Sequence, residues 1–214
     1  MNKLLQVITV LFLIFVTGCA VGRRTIDLPV QSFSNSPGEK GEIFIGSIED
    51  KRVFQNHPSV PSIPSIDGNI HSLTSKEKGL MIGRQRDGYG RARGDIALPA
   101  DDSVVERMRR LLEEGFRSRG YSIAPDSSAP NSASATIDEF WAWFSPGFWS
   151  VSFEARVYCT IKLKKSDGSS TIVVKGYGLN KGQIASDANW QLAYQEAFQD
   201  FLSKLDSKLA QAGY

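Results

Sequence analysis

Trp149-Ser-Val-Ser-Phe-Glu-Ala-Arg-Val-Tyr-Cys-Thr-Ile-Lys-Leu163 is the stretch that decides the fold. Apolar side chains fall at every odd position, Trp149, Val151, Phe153, Ala155, Val157, Cys159, Ile161 and Leu163, with Ser, Glu, Arg, Tyr, Thr and Lys between them. A period of two held for fifteen residues describes a strand with one buried and one wet face, as antiparallel sheets have. Working outward, residues 135–144 pair with it through the turn Ser145-Pro146-Gly147. Asp167-Gly168 turns the chain again into a third strand, Thr171 to Leu179.

Helices flank this meander. Asp101-Asp102-Ser103 supplies side chains that cap orphan amides, and Glu106 lies three residues after Ser103, as in a capping box. Val104, Val105, Met108, Leu111, Leu112 and Phe116 follow at helical spacing, which leaves Arg107, Arg110, Glu113 and Glu114 towards water, and Gly120 stops the run. A last helix starts near Ser186 or Asp187 and carries Trp190, Ala193, Tyr194, Ala197, Phe198, Phe201, Leu202, Leu205 and Leu209 on one side. Before all of these, Glu42 to Glu49 reads as a buried strand ended by Asp50-Lys51-Arg52, and Gly79 to Gly83 as a short one. From His57 to Gly79, Pro58, Pro61, Pro64 and Gly68 make a long excursion. The sum is an α+β domain over residues 41–214: an antiparallel or mixed β-sheet with two amphipathic helices packed on one face.

The N-terminus is a different kind of sequence. Met1-Asn2-Lys3 is basic, and Leu4 to Val16 is apolar apart from Gln6 and Thr9. That run is shorter than the roughly 20 residues a spanning helix needs. It ends on Val16-Thr17-Gly18-Cys19, which resembles the bacterial lipobox. The resemblance implies removal of residues 1–18 and attachment of diacylglycerol and an N-acyl chain to Cys19, the only prosthetic chemistry expected. Ala20 after the cysteine implies the inner leaflet of the outer membrane, with the domain facing the periplasm. Residues 19–40 read as the lipidated end and a flexible tether.

Charge and cysteines narrow the classes of function. With 25 basic and 23 acidic residues, the chain lacks the excess positive charge of a general nucleic-acid binder. Once Cys19 is acylated, only Cys159 remains, a small buried hydrophobe by its strand neighbours, and no intrachain disulfide can form. The histidines, His57 and His71, lie in the Pro-rich excursion without a neighbouring nucleophile, and no metal-ligand spacing occurs.

Two segments stand out as candidate contact sites for a protein partner or an amphipathic lipid or glycan. Arg84, Arg86, Arg91 and Arg93 are interleaved with glycines and offer planar forks to phosphates or carboxylates. The alternative is a solvated hairpin loop partly neutralised by Asp87 and Asp95. Around the next turn come Phe140, Trp141, Trp143, Phe144, Phe148 and Trp149. Alternation forbids Phe140 and Phe144 from sharing a face with Trp141 and Trp143, so a second surface must cover some of the rings. A partner, the membrane interface, or the excursion at 57–79 would each serve.

The order Ile48-Glu-Asp50-Lys-Arg52, Ile82-Gly83, a helix closing on Gly115-Phe116 and Gly120-Tyr121, paired strands and a C-terminal helix resembles the YajG-type lipoproteins of Gram-negative bacteria. It is more broadly similar to PqiC-like auxiliary lipoproteins of envelope transport machines. The resemblance implies a sheet with two helices, an envelope location and a role as a non-catalytic accessory or binding subunit.

Overall fold

The alternating stretch is the middle strand of a three-strand meander in a computed structural model, which describes residues 22–31, 39–87, 91–147, 151–182 and 186–214. In chain order the strands are β1 (Arg24–Thr25), β2 (Glu42–Asp50), β3 (Met81–Arg86), β4 (Ala92–Ala97), β5 (Ser122–Ala124), β6 (Asn131–Pro146), β7 (Val151–Lys165) and β8 (Gly168–Gly182). The helices are α1 (Ser75–Leu80), α2 (Val104–Ser118) and α3 (Asp187–Gln211). All eight strands form one mixed sheet. β6, β7 and β8 are antiparallel, whereas β6 has parallel neighbours on its other edge. The expected α+β architecture, with the two long helices on one face of the sheet, is the architecture found.

β6 is twice bordered. Its first half runs beside β2, up to Asp50↔Ile137, and its second beside β3, at Gly83↔Ala142 and Arg84↔Trp143. Between them the ladder would break and leave carbonyls orphaned, a costly defect in a buried sheet. Arg52 fills the break: its Nη1 donates to the Phe140 carbonyl at 2.8 Å and the Met81 carbonyl at 2.6 Å. Its Nη2 reaches the Lys78 carbonyl at 2.9 Å and Asp50 Oδ2 at 2.8 Å, and Nε reaches Asp50 Oδ1 at 2.9 Å. The charged ending of β2 is therefore a joint inside the sheet.

A bulge resolves the phase of the aromatic strand. Ala133, Ala135 and Ile137 are buried on the helix face, and after the register shift between Ile137 and Glu139 the same face carries Phe140, Ala142 and Phe144. One extra residue, Asp138, moves the inward set from odd to even positions. On β7 the odd residues from Phe153 to Leu163 are all buried. Onto them packs α3, capped by Ser186, with Phe140 stacked on Tyr194 at 5.2 Å and Phe153 edge-on to Trp190 at 5.2 Å.

Three expectations need correction. First, Arg107 and Glu114 do not face water: Glu114 is 5% exposed, and Arg107 is 6% exposed, donates to Asp102 Oδ2 at 2.6 Å and the Leu28 carbonyl at 2.6 Å, and pairs with Asp27 at 2.7 Å. Second, the segment read as tether is docked over its described first part. β1 pairs with β4, Ile26 and Leu28 are buried in the core, the Ile26 amide donates to the Ala97 carbonyl, and Arg107 holds the Leu28 carbonyl. Third, the Pro-rich excursion ends in a helix, α1, because Thr74 and Glu77 form a reciprocal capping box. Ser122–Ala124 adds a parallel strand, β5, beside β2, and β6 begins at Asn131, ahead of the expected pairing segment 135–144. In α2, Ser103 accepts from the Glu106 amide as expected of the cap.

The buried hydroxyls make stability sensitive to alkali. Burial pushes Tyr194 well above the ordinary tyrosine range, and lifts Tyr214 and the Cys159 thiol to about 12. In the unfolded chain these groups lose their protons first, near their ordinary values, so stability is complete below that range and falls as pH climbs through it towards 12. The urea midpoint should drop steeply between about pH 9 and 11, and Tyr194→Phe should make the drop shallower. A flat midpoint over that interval would contradict this assignment.

Candidate functional site

The arginine segment divides by depth. β3 and β4 form a hairpin whose register runs from Met81↔Ala97 to Arg86↔Ala92. Arg84 is 4% exposed and turns towards the Pro-rich segment, donating to the Ile66 carbonyl and to Asp67 Oδ1 at 3.3 Å, with Asp95 Oδ1 at 3.8 Å from its Nε. Asp95 in turn accepts the Asp67 amide at 3.0 and 3.1 Å. Burial raises the Asp95 carboxyl above the usual range, with the Asp67 amide and Arg84 opposing it. Arg84 and Asp95 thus rivet the stretch around Ser65–Asp67 to the sheet. Arg86, next along β3, is partly buried, and desolvation together with Arg84 lowers it. Arg91 and Arg93 go the other way: both meet Asp87 Oδ2 at 2.9 Å while their side chains are 68% and 47% exposed.

The aromatic strand is covered on both sides by this chain. Phe140 and Phe144 join the helix-side core, whereas Trp141 and Trp143 lie on the opposite face with Ile66, Met81 and Ala97, under Phe54, Ile70 and Leu73. Trp141 meets Phe54 edge-on at 5.9 Å and its Nε1 donates to the Pro61 carbonyl at 3.3 Å. The Arg156 guanidinium sits 4.8 Å over the Trp143 ring. Of the covers left open by the sequence, the Pro-rich segment is the one seen over this pair, so Trp141 and Trp143 pack here as a second core. Phe148, Trp149 and Cys19 lie outside the described residues.

A third surface escaped the sequence reading. Val173, Tyr177 and Leu179 project from the outer face of β8, 46%, 40% and 44% exposed, with exposed Lys175 and Lys181 among them. β8 is an edge strand, and α3 blunts part of that edge: Asp200 accepts the Tyr177 amide at 2.8 Å and Lys204 donates to the Lys175 carbonyl at 3.0 Å. The Tyr177 hydroxyl donates to Glu154 at 2.8 Å, and burial followed by Glu154 pushes it up to about 12. The signal was present in Gly176-Tyr177-Gly178-Leu179: the glycines face α3 so closely that the large side chains must take the other face.

Among the described residues, no three His, Cys, Asp or Glu side chains gather as a metal site, and no helix is long and apolar enough to cross a membrane. Both histidines are exposed. Among solved structures the chain is similar to a Xanthomonas campestris protein, at 12% identity, 89% of this chain, 96% of that chain and a TM-score of 0.45. It is also similar to a minor lipoprotein from Acinetobacter baumannii, at 8% identity, 52% of this chain, 89% of that chain and a TM-score of 0.35. No curated protein matches it. A family model described as "Uncharacterized lipoprotein" matches residues 89–211, from the β3–β4 hairpin to the end of α3. With more than half its length matched, the chain belongs to this family of lipoproteins.

Proposed function

We propose that this lipoprotein is acylated at Cys19, held at the inner leaflet of the outer membrane, and serves there as a non-catalytic accessory subunit of an envelope assembly of the YajG-like kind. The observation that carries the reading is the row Val173, Tyr177 and Leu179 on β8, apolar side chains exposed beside Lys175 and Lys181. A partner that buries such a row presents apolar side chains with an acidic rim. Support also comes from how the buried charges are used. Arg52 with Asp50, Arg84 with Asp95 and Arg107 with Asp102 each hold backbone in place, which is structural work.

A photo-crosslinking amino acid in place of Tyr177, in cells, tests the reading. One discrete adduct with an envelope protein is expected, lost when Val173→Asp and Leu179→Asp are combined, with thermal unfolding changed by less than about 1 kcal/mol as surface sites allow. No adduct, or one that survives the double variant, overturns it. A lipid or glycan copurifying in stoichiometric amount would favour a carrier instead.

A further inference from the structure

The described chain starts at Gly22, three residues after Cys19, and it is already docked there. Gly22 lies so close to β4 that a Cβ on Gly94 would come within 2.9 Å of its carbonyl carbon. Arg24 and Thr25 then pair with Ile96 and Ala97, and Arg24 meets Asp187 at 2.5 Å. Strand directions set what else shares this end of the sheet. Arg86↔Ala92 closes β3 and β4 there, Pro146↔Val151 closes β6 and β7, and β8 finishes at Gly182. The opposite end holds Lys165↔Gly168 and Tyr214.

Three peptide units reach at most about 11 Å, so acyl chains on Cys19 keep this end, and no other, beside the bilayer. Its exposed cations are Arg23, Arg91, Arg93 and Lys181, and Arg91 and Arg93 both meet Asp87 Oδ2. We infer that Arg91 and Arg93, at the start of β4, rest on the anionic phospholipid headgroups of the leaflet that holds Cys19. The inference rests on acylation of Cys19 and adds an orientation to it. An acyl anchor alone leaves the domain free to swivel; guanidinium forks on phosphates remove that freedom. Each arginine near an anionic leaflet strengthens attachment about fivefold at low salt. The strands then rise from the bilayer, and the exposed face of β8 is presented sideways, clear of the lipid.

The test uses the full lipidated chain carrying Ala92→Cys with a fluorophore. Ala92 is exposed, Cys159 is buried and the Cys19 sulfur is acylated, so the label goes to one place. The chain is inserted into vesicles containing a nitroxide-headgroup lipid, made either of phosphatidylglycerol with phosphatidylethanolamine or of phosphatidylcholine. Quenching at residue 92 should be about twofold or more greater in the anionic vesicles. Arg91→Gln with Arg93→Gln should remove that gain while the protein still floats with the vesicles. Equal quenching in both vesicles, a gain that survives the double variant, or equal quenching of a label at Ser169→Cys on the far end each overturns the orientation. A chain whose mass lacks acyl groups, and which fails to float, overturns the anchoring reading itself and the orientation with it.

Discussion

Arg52→Met should destabilise the domain by about 3–5 kcal/mol, the cost of breaking a buried ion pair from one side. The Arg52 side chain is fully buried and serves three carbonyls and one carboxylate at the gap between β2 and β3. Methionine matches much of the volume, so lost packing contributes little. The orphaned Phe140 and Met81 carbonyls and the unpaired Asp50 carboxylate carry the loss. Arg52→Lys should recover only a minor part, because one ammonium cannot reproduce a fork that spans two strand ends. Urea unfolding followed by tryptophan fluorescence measures both; a loss under about 1 kcal/mol for the methionine variant would refute the joint.

Gly178→Ala should cost about 3 kcal/mol or more, at the upper end of what overpacking does. A Cβ there would press on the Ala193 carbonyl oxygen and lie 2.5 Å from the Ala197 nitrogen. Both are backbone atoms of α3, so no side chain can rotate away and the whole helix must lift from β7 and β8. Gly46→Ala is the control: its nearest neighbours would be at 3.6 Å, ordinary contact, and the unfolding midpoint should hardly move. Equal midpoints for the two variants would contradict the close seating of α3.

What was legible in the sequence is what neighbours along the chain decide. β7 announced itself because each residue from Val151 to Leu163 sees the same two faces, and α3 because Ser186 and the spacing from Trp190 to Leu209 are local. What escaped depends on distant partners. Nothing next to Arg107 says that Asp27 lies across from it, 80 positions earlier, so helical spacing alone placed it in water. Ile26, Leu28 and Val30 do alternate with Asp27 and Pro29, a strand-like cue too short to weigh against the Gly, Pro and Ser around it. The bulge at Asp138 has no glycine to mark it and exists only in the pairing of β6 with β7. For the candidate sites, the requirement that Trp141 and Trp143 have their own cover was readable, with the excursion at 57–79 among the covers named, but the choice between that excursion and an outside surface was not. Arg84 differs from Arg91 and Arg93 only in depth, which sequence spacing does not encode.

We propose position and surface together, with Cys19 as the anchor at a membrane and β8 as the contact. The photo-crosslink from position 177, compared between the native chain and Cys19→Ser in the same cells, tests both at once. The adduct should form in the native chain and be lost in the serine variant, although that variant folds with the same thermal midpoint. An adduct of undiminished yield in the serine variant would contradict the account.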